Sequence, residues 1–347
     1  MGRSNFEKAL EEFDYQIPPS LIAQNPASPR DSAKILIYDK QTNNVSSDIF
    51  KNIANYLPKT SVLVFNKTKV VPARLFVKKV SGGKVGILYT KHDSKYIYAL
   101  SNKTLKPKTK LYLTQTIIFD VIDKKDKEYK LSPSFNTPEI FKVLEKYGKT
   151  PLPPYIKDSR LTENEIKKEY QTVFAKKQGS VAAPTASLHF TKNLLKEIEK
   201  KGHKIYFITL HVNLGTFAPL TKKQFEEKKL HEEWFEIDRK TADALNAAKK
   251  HGQSIISVGT TVVRTLESAC GKTGKIKNLS GTTNLFIDEN YRLKFTDSII
   301  TNFHVPKSSL LMLVSAFIGR KRLFNLYSFA VKNNFRFFSF GDGILIR

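Results

Sequence analysis

The chain has 347 residues, room for about two domains, and its single cysteine, Cys270, excludes an intramolecular disulfide and a cysteine-based zinc site. Its 58 Lys+Arg against 32 Asp+Glu give a formal net charge of +26, which suits a polyanion such as nucleic acid, although a lysine-rich composition with solvated helix faces gives the same charge. The longest apolar run, 310–318, is far short of the ~20 residues needed to cross a bilayer, and no signal-peptide pattern opens the chain, so a cytoplasmic location without membrane contact is expected.

In chain order, a first strand signal ends with Ser61-Val62-Leu63-Val64-Phe65-Asn66. The texture then changes to short alternating strands at 75–80, 85–90, 96–100, 110–113, 117–122 and 128–131, separated by turn residues such as Gly82-Gly83, which predicts a small antiparallel barrel. Thr137 as N-cap with Pro138 at the first position predicts a helix reaching Tyr147-Gly148. The stiff Pro151-Leu152-Pro153-Pro154 run then reads as a hinge. Beyond it, a helix over 192–201 with Leu194, Leu195 and Ile198 on one face, a buried strand over 205–212, a helix capped by Asp238, and a strand over 254–258 alternate. The expectation is an α/β fold: a layered mixed sheet with helices in a large domain of residues 1–74 and 151–347, and an inserted small antiparallel β-barrel domain over 75–150.

Several runs do not read as core. Tyr170-Gln171-Thr172-Val173-Phe174 and Gly179-Ser180-Val181-Ala182-Ala183-Pro184-Thr185-Ala186-Ser187-Leu188-His189-Phe190-Thr191 are small, hydroxylated and broken by proline, with neither period 2 nor period 3.6. They read as the lining of a site. Further polar runs are Val64-Phe65-Asn66-Lys67-Thr68-Lys69 with Pro72-Ala73-Arg74, Thr209-Leu210-His211-Val212-Asn213-Leu214-Gly215-Thr216, His231-Glu232-Glu233-Trp234, Val258-Gly259-Thr260-Thr261-Val262-Val263-Arg264, Thr301-Asn302-Phe303-His304, and Phe335 through Asp342. Together they resemble, in order and over nearly the whole chain, the signature segments of the S-adenosylmethionine:tRNA ribosyltransferase-isomerase family of queuosine biosynthesis. Departures from that pattern are Lys67 and Lys69 where the family usually carries Asp and Arg, and Asn213 and Ser187 where it usually carries Gly. Asn tolerates a positive φ angle, but unlike Gly it obstructs a close ligand approach.

The residues themselves carry some chemistry. A Gly-Thr-Thr turn between a strand and a helix exposes free N–H groups beyond a strand end, with Thr260 and Thr261 adding hydroxyls and Arg264 one turn on as a bidentate anion clamp; a plain threonine cap with an exposed arginine is the alternative. His211, Gly215 and Thr216 share that sheet edge if the strands are parallel. Asn302 and His304 can read a purine edge or merely form a buried polar network, and Arg74 can grip an anion or bridge the domains. Asp342 is a turn residue by type. No pair of histidines has the spacing of a preformed metal site, and nucleophile-elbow, Walker and dinucleotide-fold signatures are absent.

What the resemblance implies is a reaction. It would transfer and isomerise the ribosyl part of S-adenosylmethionine onto 7-aminomethyl-7-deazaguanine at the tRNA wobble position, giving epoxyqueuosine with release of adenine and methionine. S-adenosylmethionine would be a co-substrate, with no prosthetic group or metal, and tRNA the partner, with no obligate protein partner. His189 or His211 would be the general base, and the residues alone do not choose between them. Asn66, Arg74, Thr185, Gly215, Thr216, Thr260, Thr261, Arg264, Asn302, His304 and Asp342 would bind substrates. A non-catalytic RNA-binding protein and a different nucleoside-processing enzyme are the competing readings.

Overall fold

The computed structural model describes residues 4–213 and 219–347. The N-terminal helix α1 (Asn5–Glu12) precedes the strands β1 (Lys34–Tyr38), β2 (Val45–Ile49), β3 (Val62–Asn66) and β4 (Thr68–Val70). Then come the barrel strands β5 (Arg74–Lys79), β6 (Lys84–His92), β7 (Ile97–Ser101), β8 (Lys110–Tyr112), β9 (Ile118–Lys125) and β10 (Glu128–Pro133). Helices α2 (Ile140–Tyr147) and α3 (Glu163–Glu169) lead to β11 (Lys177–Ser180), α4 (Lys192–Lys200) and β12 (Lys204–Leu210). The remainder is α5 (Lys222–Glu227), β13 (Lys229–Glu236), α6 (Arg239–Lys250), β14 (Ile255–Val258), α7 (Thr260–Cys270), β15 (Ser280–Leu285), β16 (Ser298–Asn302), α8 (Ser309–Ile318), α9 (Arg320–Lys332) and β17 (Gly343–Ile346).

The large sheet has the order β15-β13-β12-β3-β14-β16-β17-β1-β2, and its four inner strands β12, β3, β14 and β16 are mutually parallel. Every residue of β3, β14 and β16 is buried, as continuous apolar runs covered by helices on both faces require. Period-2 alternation sorts β3 between two cores: Val62 and Val64 pack with Ile208, Leu245 and Leu266 on one face, Leu63 and Phe65 with Phe50, Phe190 and Ile198 on the other. Because the inner strands are parallel, their carboxyl ends at Asn66, Leu210, Val258 and Asn302 fall along one edge, where sheets of this kind bind ligands.

The six alternating segments close into an antiparallel barrel, β10-β7-β6-β5-β8-β9, around Leu75, Val77, Ile87, Phe119 and Leu131. The chain leaves and returns at one point, since the Arg74 and Lys149 backbones exchange hydrogen bonds of 3.1 and 2.8 Å. The helix after the barrel differs at its start. Thr137 opens a 3-10 turn and its hydroxyl donates to the Asp93 carbonyl at 2.7 Å, tying the helix to the barrel instead of capping it. Asp238 caps α6 as its residue type suggests, accepting from the Thr241 N–H at 2.8 Å. Two features lie below the reach of periodicity: the interior strand β1 with the edge strand β2, and the short pairing of β4 with β11, whose polar residues carry no alternation.

Gly148 ends α2 where the barrel rejoins the sheet, and a Cβ there would stand 1.8 Å from the Pro72 carbonyl oxygen. No side-chain rotation relieves a clash with backbone. Gly148→Ala is therefore expected to destabilise the fold by at least about 1–3 kcal/mol, read as a lowered urea midpoint, whereas Gly202→Ala, in open space at positive φ, tests the strain of backbone conformation alone.

Candidate active site

A cleft open to solvent lies at the carboxyl edge of the parallel strands. Its floor is built from separate stretches of sequence: Ala183 to Ala186 from the hydroxylated run, Gly259 to Thr261 at the start of α7, and Thr301 to Val305 after β16. Tyr155, Phe338 and Ser339 form a further wall, where the Tyr155 hydroxyl and Ser339 Oγ are hydrogen-bonded at 2.6 Å and the Tyr155 and Phe338 rings lie 4.9 Å apart. Burial pushes the Tyr155 phenol up to about 12, so it stays protonated. Among the described residues lining the cleft there is no Asp, Glu, Lys or Arg.

Gly259 sits at φ +94, a conformation that lets the chain turn sharply from β14 into α7. The first amides of α7 thus face the cleft with the positive end of the helix, next to the hydroxyls of Thr260 and Thr261. Asn302 ends β16 and accepts a hydrogen bond from the Thr185 hydroxyl at 2.8 Å; its amide nitrogen reaches His189 Nε2 at 3.4 Å and the Asp342 carbonyl at 3.5 Å. His304 lines the cleft, with Nε2 3.0 Å from Thr301 Oγ1, and burial lowers its pKa to about 3. The imidazole is therefore uncharged at neutral pH.

The other two histidines lie behind the cleft wall. His189 is buried against Phe50, with ring centroids 4.6 Å apart, and desolvation lowers its pKa to about 4. His211 stacks on Trp234 at 5.1 Å, its Nδ1 is 2.8 Å from Thr68 Oγ1, and burial, with Lys177 nearby, lowers it to about 4. Gly179, at φ +140, approaches it so closely that a Cβ would stand 2.7 Å from His211 Nε2. Both expected bases thus have their rings engaged by protein.

Three expected ligand contacts are engaged elsewhere. Asn66 is wholly buried, donating to the Leu210 carbonyl at 2.9 Å and accepting from the Leu210 and Thr68 amides at 3.1 Å each, so its amide acts as an extra rung between β3 and β12. Arg264 is neither a ligand clamp facing the cleft nor an exposed helical residue. It is buried, ion-paired with Glu233, and donates to the Leu285 carbonyl at 3.2 Å. Helical spacing leaves Arg264 one turn beyond the strand end, on the side covered by β13 and β15. The Asp342 carboxylate is likewise buried, accepting from the Arg336 amide at 2.7 Å and the Lys34 amide at 3.1 Å.

Arg74 is exposed at the start of the barrel, outside the cleft. Gly215 and Thr216 lie outside the described residues. Asn213, where the family usually carries Gly, donates its N–H to Glu233 Oε1 at 2.9 Å. Lys67 lies 3.8 Å from Asp238, and Ser187 is buried in a 3-10 turn. Sequence reasoning singled out neither Tyr155, next to the proline run read as a hinge, nor Ser339, within the run 335–342, and it passed over Glu233, whose single buried carboxylate joins Arg264 to the Asn213 backbone.

A basic α/β chain whose polar runs converge on one cleft at a parallel sheet edge is built as a ligand-binding enzyme. A model of the queuosine biosynthesis protein family matches residues 10–346, and the chain belongs to that family. It is 43% identical over 342 residues to the S-adenosylmethionine:tRNA ribosyltransferase-isomerase of Clostridioides difficile, covering 97% of this chain and 99% of the relative. It is 42% identical over 345 residues to the enzyme of the same name from Carboxydothermus hydrogenoformans, with the same coverage. The crystal structure of an S-adenosylmethionine tRNA ribosyltransferase from Thermotoga maritima is similar at a TM-score of 0.56 and 30% identity, covering 97% of this chain and all of that one.

Removing Arg264 takes away the guanidinium that pairs with the buried Glu233 carboxylate. Arg264→Met is expected to cost about 3–5 kcal/mol in urea unfolding, and adding Glu233→Gln to recover part of that loss. An equal or larger loss in the double variant would show that packing, not the charge of Glu233, sets the effect.

The lowered histidine pKa values make a second prediction. A native pKa of about 4 for His189 against an ordinary value of 6.5 means that the unfolded chain binds more protons between those pH values. Stability is then complete above pH 6.5 and falls as pH drops toward 4, by up to ~1.4 kcal/mol per pH unit for each such histidine. The urea midpoint should decline from pH 7 to 5, and His189→Gln should flatten that decline.

Proposed function

We propose that this chain transfers and isomerises the ribosyl moiety of S-adenosylmethionine onto the aminomethyl group of 7-aminomethyl-7-deazaguanine at the tRNA wobble position, forming epoxyqueuosine and releasing adenine and methionine. The observation that carries this reading is the convergence of Pro184–Ala186, Gly259–Thr261, Thr301–His304 and Ser339 on one cleft whose described lining residues are uncharged. In the same reading residues 75–150 are an inserted domain on the α/β body of residues 1–74 and 151–347, and the protein works in the cytoplasm.

The chemistry begins with loss of a proton from the 5′ carbon beside the sulfonium, which stabilises the resulting carbanion as an ylide. Ring opening expels adenine, the aminomethyl nitrogen attacks, and closure to the epoxide expels methionine. Of His189, His211 and His304, it is His304 that lines the cleft, and we assign the proton-accepting imidazole to it in place of His189 or His211. Its low basicity is offset by closeness to the acidified carbon, since a held base needs no diffusion or solvent reorganisation. His189 acts through Asn302 as a positioning residue, and His211 holds the end of β12.

The amino end of α7, with Thr260 and Thr261, is suited to the methionine carboxylate, and the Tyr155–Phe338 wall to a stacked base. Thr185 and Asn302 offer a hydroxyl and an amide to ribose or purine. A primary alkylamine is mostly protonated in water, and a cleft free of carboxylates favours its neutral, nucleophilic form. The wobble base has to leave its stack to enter.

Incubation with ribose-labelled S-adenosylmethionine and tRNA carrying the deazaguanine precursor should place label in the RNA and release adenine and methionine in equal amounts. Methylated RNA with S-adenosylhomocysteine would overturn the proposal, and RNA binding without either product would favour a non-catalytic reader. His304→Gln should reduce turnover by about 100-fold or more while leaving tRNA affinity unchanged.

A further inference from the structure

We infer that the outer face of β5 is a docking platform for single-stranded RNA, with Phe76 as the ring on which a base stacks. This extends the reading of tRNA as substrate to a surface outside the cleft. Phe76 is 54% exposed, far from the rule for a phenylalanine on a strand whose neighbours Leu75 and Val77 are buried in the barrel. Its cross-strand partner on β6 is Gly86, which has no side chain to cover the ring. An uncovered aromatic beside a glycine is a shelf of the kind that sequence-tolerant RNA binding uses.

The charges around the ring point the same way. Side chains at i±2 on a strand share a face, so Arg74 and Lys78 flank Phe76, and both are exposed. Lys149, on the returning chain, holds its ammonium 5.8 Å from the Phe76 centroid. Lys78 lies directly across from Lys84, and like charges in that register cost stability. None of these four cations has an acidic partner among the described residues, whereas Lys91, Lys177 and Lys249 elsewhere do. A polyanion threading past Phe76 relieves that repulsion. Residues 74–133 carry 14 Lys+Arg against 5 Asp+Glu, a net +9, about twice the charge density of the chain as a whole.

The platform is coupled to the cleft by backbone. β4 delivers the chain to Arg74 and pairs with β11, which delivers it to Ala183 and Pro184 in the cleft floor; the Val71 amide donates to the Ser180 carbonyl at 2.8 Å. RNA held on β5 would therefore be held relative to the cleft. The occupant is a single strand because a duplex keeps its bases stacked and offers the ring no free face.

The test uses the full chain with oligouridylate of about ten nucleotides, within the site size of small barrel modules. Phe76→Leu should weaken binding about 5- to 100-fold with an unchanged slope of log affinity against log salt. Phe76→Trp should bind as the parent does and be quenched by the oligonucleotide, Trp234 in the parent serving as the baseline. Arg74→Gln and Lys149→Gln should each reduce the salt slope by about 0.7. Unchanged affinity in Phe76→Leu, equal binding of duplex RNA, or a Phe76-dependent affinity for phosphatidylserine vesicles without one for RNA would each overturn the inference. The two readings fail separately. Loss of oligouridylate binding in Phe76→Leu without ribosyl transfer by the parent would sink the proposed reaction and leave the platform, while normal transfer with Phe76-independent RNA binding would sink the platform alone.

Discussion

The structure depends on the parallel pairing of β12, β3, β14 and β16. Strands buried on both faces cannot carry unpaired polar groups along their length, so polar residues are concentrated where the strands end. Parallel direction then brings four such ends to one edge. Asn66 shows how tightly that edge is drawn together: one side-chain amide bonds the end of β12 by both its nitrogen and its oxygen and also lies 3.4 Å from Thr261 Oγ1 at the start of α7. Burying that amide is tolerable because its strong bonds go to backbone groups that would otherwise lack partners.

Around the cleft the same logic separates residues that face the ligand space from those that hold them. Thr185 and Asn302 are joined at the cleft surface, His189 and the Asp342 carbonyl lie behind Asn302, and the Asp342 carboxylate is fastened to Arg336 and Lys34. On the opposite side Glu233 spans Arg264 and the Asn213 backbone, while Trp234, the next residue, stacks on His211. Adjacent residues of β13 point to opposite faces, so one dipeptide supports two different parts of the same chain segment. Among the described residues these interior polar contacts leave the cleft lining without fixed charge, an environment that keeps imidazoles and amines neutral.

The barrel answers a different physical demand. Its interior is an ordinary apolar core, and closing the sheet removes exposed strand edges, so its outer face is free to carry charge at high density. Cationic and aromatic residues recur there together, as with Lys130 held 3.9 Å over the Tyr96 ring and Lys91 5.1 Å from Tyr98. Such contacts order lysine side chains that would otherwise move freely in water.

By itself the sequence determined the two architectures, because their signals are local. Alternation over 75–131 marks strands of a barrel, and the apolar runs at 61–66, 205–212 and 254–258 between helical segments mark a buried sheet. The polar runs also pointed to a site, but the segment 179–191 is not free of the core as its texture suggests: Val181, Ala182, Leu188 and Phe190 are buried in apolar clusters, and it is Ala183 to Ala186 that line the cleft. What each polar side chain does was decided only in three dimensions. Arg264, Asn66 and Asp342 have the residue types of ligand contacts, yet burial directs them to Glu233, Leu210 and Arg336. Tyr155 and Ser339 lie 184 positions apart and meet as a hydrogen-bonded pair. The same imidazole chemistry faces the cleft in His304 and supports it in His189. Periodicity records which side of an element is buried, whereas a side chain's partner depends on which distant segment packs against that side, and this is a property of the assembled sheet.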